Sequence, residues 1–129
     1  MALLIPVSPG ELIDKATILE IKLDRISDVK KRANVNAEYQ LLKQVIATQL
    51  EESTSLGQLK ADLKAINLKL WDIEDEIRDC ESNADFGEKF IRLARSVYFS
   101  NDERAALKRK INELLDSDIA EEKSYRPYR

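Results

Sequence analysis

From Leu56 to Cys80 the apolar positions recur at alternating steps of three and four: Leu56, Leu59, Leu63, Ile66, Leu70, Ile73, Ile77 and Cys80. Steps of that size return to one side of a helix, and an unbroken series makes a coiled-coil-like seam. A weaker series precedes it, with Val35, Tyr39, Leu42, Val45 beside Ile46, and Gln49. Helix starts are marked by capping residues. Ser8-Pro9-Gly10-Glu11, Ser55-Leu56-Gly57-Gln58 and Asp85-Phe86-Gly87-Glu88 each place a capping side chain three positions before Glu or Gln, the spacing at which the two satisfy each other's backbone N–H groups. Pro9 strengthens the first. Ser100-Asn101-Asp102-Glu103 repeats the spacing without glycine, and a further start falls near Asn34 or Asn36.

These signals predict a single all-α domain over 1–129, a bundle of about five helices at 9–32, 36–52, 56–82, 86–99 and 101–116. At 1.5 Å per residue the first and third run roughly 35–40 Å, and long neighbours joined by short loops are expected to pack antiparallel. The two short helices are expected to form a corner at Phe99-Ser100-Asn101. Residues 117–129 read as an extended, Tyr/Arg-rich tail that frays or docks. Leu3-Leu4-Ile5 reads as an extended lead-in packed on the bundle.

The first helix carries a surplus of apolar residues. With Leu12 at zero and 100° per residue, Leu12, Ala16, Leu19, Leu23 and Ile26 form one stripe, while Ile13, Thr17 and Ile21 lie about 100–180° away and Ile18 near 240°. Exposing three isoleucines would forfeit roughly 1.5–3 kcal/mol each. Either the fourth and fifth helices cover that second face, or a second copy or another protein does. Ile13, Thr17, Ile18 and Ile21, with the off-seam Trp71, are therefore the candidate interface, and a two-fold homo-oligomer is the partner expected.

Composition adjusts this picture. Hydrophobic residues make up 43% and charged residues 35% of the 129, enough for a core under a charged surface, so disorder is not expected. The net charge of −3 makes nucleic acid an unlikely partner. The chain has no histidine, which removes the commonest general base and the usual zinc sets. The single cysteine, Cys80, falls on the seam and reads as a buried hydrophobe. A lone thiol fits a reducing compartment, so a cytoplasmic location is expected. Met1 to Val7 lacks a basic region and does not read as a signal peptide, and no run reaches the ~20 apolar residues that span a bilayer. No cofactor is expected.

Two constellations could carry chemistry. Phe86 to Ile111 holds seven Lys/Arg against three Asp/Glu. A corner that gathers Arg92, Arg95, Asn101, Arg104 and Lys108 would suit a phosphate or a sugar nucleotide, unless the cations pair within the chain. Asp72, Asp75, Glu76 and Asp79 share a helical side and could hold Mg²⁺. All-α nucleotide pyrophosphohydrolases use such carboxylates, but they need an opposing pair, for which Glu11/Asp14 and Glu113/Asp116 are the candidates. A non-enzymatic interaction or scaffold protein is the leading reading. A ligand-binding protein or enzyme at the basic corner is the alternative.

The stretch Ser8-Pro9-Gly10-Glu11-Leu12-Ile13-Asp14-Lys15 with Ile18-Leu19-Glu20-Ile21-Lys22 resembles the start of a family of short, uncharacterised bacterial proteins, a domain of unknown function. Leu70-Trp71-Asp72-Ile73-Glu74-Asp75-Glu76-Ile77-Arg78, Ala94-Arg95-Ser96-Val97-Tyr98 with Asn101 and Arg104, and Glu121-Glu122-Lys123-Ser124-Tyr125 extend the likeness over nearly the whole chain. The resemblance attaches no activity. It implies a genetic neighbourhood of glycosyltransferases and surface polysaccharide, and so a partner among proteins of glycan assembly.

Overall fold

A computed structural model describes residues 1–128. Four helices, and no strand among the described residues, make up the fold: α1 Pro9–Arg25, α2 Val29–Gln49, α3 Thr54–Ser82 and α4 Glu88–Leu114. The all-α class stands, with four helices in place of about five.

The differences have local causes. The predicted helix 9–32 is cut at Ile26, which is extended (φ −86°, ψ 127°). Asp28 then caps α2 by accepting from the Lys31 N–H at 2.8 Å, eight residues before the predicted start at 36. Arg32 ties the break together by donating to the Leu23 and Ile26 carbonyls. For α3 the cap is Ser53, whose Oγ accepts from the Leu56 N–H at 3.0 Å, so Ser55 lies inside the helix. Ser8 caps α1 as expected, accepting from the Glu11 N–H at 3.2 Å.

The largest correction concerns the corner. Helices 86–99 and 101–116 are one continuous α4, and Ser100 and Asn101 lie within it. The capping-box spacing at Ser100 is overridden because the inward series Leu93, Val97, Ser100, Arg104, Leu107 and Ile111 runs on in steps of three and four, with no glycine or proline to break it. Burial against α3 outweighs the pull of one cap. True ends come later. Ala84 (φ 52°) follows α3 and Asp116 (φ 54°) follows α4, both left-handed. Asp85 N–H donates to the Cys80 carbonyl and Ser117 N–H to that of Asn112, the Schellman closure usually built on glycine.

The α3 seam is buried at Leu56, Leu63, Ile66, Ile73 and Cys80, whereas Leu59, Leu70 and Ile77 are half-buried. Leu63 and Ile66 form the core with Leu56, Ile13 of α1 and Ile111 of α4. Helix α1 packs on all three other helices, α3 packs on α4, and α2 touches only α1 among the helices. No residue of α2 is buried. The lead-in does not pack on the bundle: Leu3 is 79%, Leu4 98% and Ile5 72% exposed, because the chain turns into the helix only at the Ser8 cap and Pro9. No described helix is long and apolar enough to cross a membrane.

Candidate functional site

A line of polar side chains crosses the middle of the bundle where α1, α3 and α4 meet. Asp14 of α1 is 2% exposed. Its carboxylate receives Nε and Nη2 of Arg104 from α4, at 2.9 and 2.5 Å, and Nδ2 of Asn67 from α3 at 2.9 Å. The same Asn67 amide donates to Thr17 Oγ1 at 3.0 Å, and that hydroxyl donates to the Asp14 carbonyl at 2.7 Å. A buried carboxylate is costly unless paired and fully hydrogen-bonded, and here three hydrogen bonds from two partners, Arg104 and Asn67, meet that demand.

One turn along α4, Lys108 Nζ bridges Glu11 at 2.7 Å and Glu121 at 2.8 Å. One turn further, Asn112 Oδ1 accepts from the Gly10 N–H at 2.7 Å. At Gly10 the helices come so close that a Cβ would sit 2.5 Å from the Lys108 carbonyl oxygen. Only glycine fits. Arg104, Lys108 and Asn112 are spaced by four, so they form one edge of α4 against Gly10, Glu11 and Asp14.

The electrostatics follow from these pairs. The Asp14 hydrogen bond holds the Arg104 guanidinium above its ordinary value against the opposing pull of burial. Burial pulls Lys108 down, but Glu11 and Glu121 outweigh it and leave the ammonium raised. Burial likewise pushes Glu20 up, but Lys64, Lys60 and the Tyr39 hydroxyl together bring its carboxyl below the usual range. Ser100 Oγ, one turn before Arg104, is buried without a hydrogen-bond partner among the described residues.

Of the predicted anion-site residues, Arg104 and Lys108 are thus held by carboxylates of the same chain. Arg92 is exposed, Arg95 is exposed with Nε 3.4 Å from Tyr98 Oη, and Asn101 contributes its carbonyl to Lys123 Nζ at 3.5 Å. There is no corner to gather them, because they lie along one continuous helix. In the acidic stripe Asp72 pairs with Arg25 at 3.1 Å, and no group of three His, Cys, Asp or Glu among the described residues is placed to hold an ion.

Of the predicted interface, Ile13, Thr17 and Ile21 are at most 1% exposed within the single chain, which removes the surplus that called for an external cover. Ile18 and Trp71 are half-buried. Asp14, Asn67, Ser100 and Asn112 were not singled out from the sequence as buried. The signal was that Asp14 falls at 200° on the wheel, inside the second apolar face of α1.

After α4 the chain is irregular and returns over it. Glu121 reaches Lys108, Lys123 reaches Asn101, and Tyr128 stacks on Tyr98 (5.1 Å, 18°) while its hydroxyl donates to Asp102. Between tail and helix lies a cleft of about 420 Å³, lined by Arg109 and Lys123 but also by Glu113, Asp116, Glu121 and Glu122.

Three of the motifs that carry the family resemblance, around Ser8–Lys15, Arg104 and Glu121–Tyr125, thus converge on one seam. A model of a family of unknown function, DUF6165, matches residues 3–128. The chain belongs to that family. No curated protein and no solved structure matches it.

Proposed function

We propose that this member of the family is a non-enzymatic helical interaction protein that works by self-association. The observation that supports the non-enzymatic part of the reading is the closure of the polar seam: Arg104 and Lys108 are each engaged by carboxylates of their own chain. Groups spent on holding helices together are not offered to a substrate. In the neighbouring cleft, four carboxylates outnumber two cations, which disfavours a phosphorylated ligand. A buried, unpaired Cys80 fits a reducing compartment, and we place the protein in the cytoplasm. Its placement in surface-glycan assembly rests on the motif resemblance, and loss of cell-surface polysaccharide on gene deletion is its test.

The reading is tested by thermal denaturation of the full chain with nucleotide sugars, nucleoside phosphates, inorganic phosphate and Mg²⁺. A ligand at a hundredfold excess over its Kd adds about 2.7 kcal/mol to native-state stability. The expected result is an unchanged melting temperature in every case. A rise of several degrees with any phosphorylated compound overturns the reading in favour of a ligand-binding protein.

A further inference from the structure

Helix α1 covers only one side of the α3–α4 pair. On the other side a groove of about 490 Å³ runs between the two helices, with Ala65, Ile66, Ala106 and Leu107 as its apolar lining. Its charged lining is Asp62 and Lys69 from α3, and Glu103 and Lys110 from α4. The shared groove, together with the meeting of Asn67 and Arg104 at Asp14, sets the register: Asp62 lies level with Lys110, and Lys69 with Glu103. Continued at 100° per residue toward the link at 83–87, the same side of α3 carries Glu76, and that of α4 carries Arg92 and Lys89. Across the groove the Asp62–Lys110 and Lys69–Glu103 levels each pair opposite signs. Yet among the described residues none of Asp62, Lys69, Glu76, Asp79, Lys89, Arg92, Glu103 and Lys110 forms an ion pair.

We propose that this groove is the self-association surface, and that its occupant is the same groove of a second copy, related by a two-fold axis parallel to α3 and α4. Such an axis lays α3 of each copy on α4 of the other without changing level. Asp62 then faces Lys110 of the second copy and Lys69 faces Glu103, each contact occurring twice. The arrangement is isologous, so it closes at a dimer. Ala65 and Ala106 allow the helices to approach, and burial of the apolar lining supplies attraction. The charges, exposed and screened by salt, supply register more than affinity. From Asp62 to Glu76 the contact spans about 21 Å, short of the area of a tight interface, so a weak, salt-sensitive dimer is expected.

The inference rests on the self-associating reading above and names its surface. The test is sedimentation of the full chain over a range of concentrations, for wild type, Asp62→Lys, Lys110→Glu, the double variant, and an equimolar mixture of the two single variants. Both sites of change are exposed side chains outside the core. Each single variant is expected to weaken self-association by about tenfold. The double variant should restore it, and the mixture should form a heterodimer, because each reversed charge then meets its opposite. Single variants that associate like wild type, or a mixture no more associated than its components, overturn the groove while wild-type association leaves the interaction reading in place. A wild type that stays monomeric at high micromolar concentration overturns the dimer. A melting-temperature rise with a nucleotide sugar bears on the functional reading alone.

Discussion

Asp14 and Arg104, 90 residues apart in sequence, meet in a two-point ion pair that fixes α1 against α4. The carboxylate is nearly inaccessible to water, while the Arg104 side chain is 30% exposed. Removing one partner of a buried pair strands the other. Arg104→Met should therefore cost about 3–5 kcal/mol in a urea titration. Arg104→Met combined with Asp14→Leu should cost distinctly less than the sum of the two single changes, which a double-mutant cycle would measure.

The two helical glycines predict opposite signs. Gly10→Ala forces a methyl group against the Lys108 carbonyl and should lose about 1–3 kcal/mol despite alanine's better helix propensity. Gly57→Ala meets nothing within 4 Å and should gain about 0.5–1 kcal/mol. Thermal unfolding of the two variants beside wild type separates them.

Ser100 carries a buried hydroxyl with no partner among the described residues. Such a group costs free energy in the folded state, so Ser100→Ala should stabilise the protein by about 1 kcal/mol. A loss of stability would mean that the hydroxyl is bonded in solution.

The seam of α3 is not equally buried along its length. Leu63 is 0% exposed, and Leu63→Ala should cost about 2–5 kcal/mol. Leu70, half-buried, should cost clearly less on the same change, and chemical denaturation ranks the two.

Glu20 predicts an acid limb. Its folded carboxyl lies below the ordinary value of 4.5, so its contribution to stability is present above that pH and is lost as pH falls through the lowered folded value. Glu20 is held by Lys60 at 3.1 Å and Lys64 at 3.0 Å. Glu20→Gln should flatten the fall in stability below about pH 4.5 and lower stability at neutral pH.

The helical class was legible because it depends on local periodicity. The α3 seam and the Ser8 cap could be read from neighbours three and four residues away. The break at Ile26 was missed for a reason of the same kind: Asp28 caps α2 without the Glu or Gln three residues on that makes a capping box, since Lys31 stands there. At Ser100 the error ran the other way, with a complete local signal cancelled by a partner on α3.

The candidate site was less legible. Arg104 and Lys108 could be picked out as a basic cluster, but whether they were free or spent depended on Glu11, Asp14 and Glu121, which lie 97, 90 and 13 residues from them respectively. Asp14 in the sequence is one more charged residue among many on α1.

What the sequence determined by itself is the existence of amphipathic helices, the apolar seam of α3, the surplus apolar face of α1 and the lack of histidine chemistry, all of which depend on residue type and spacing within a turn or two. Only the tertiary structure decided that α4 is unbroken, that Ile13, Thr17 and Ile21 are covered by the chain's own helices, that Gly10 marks the closest approach of α1 to α4, and that an open groove lies on the side α1 leaves bare. The physical reason is that burial is a property of pairs of surfaces. A stripe on one helix states that it must be covered, but the covering residues are chosen by how four helices share a single core.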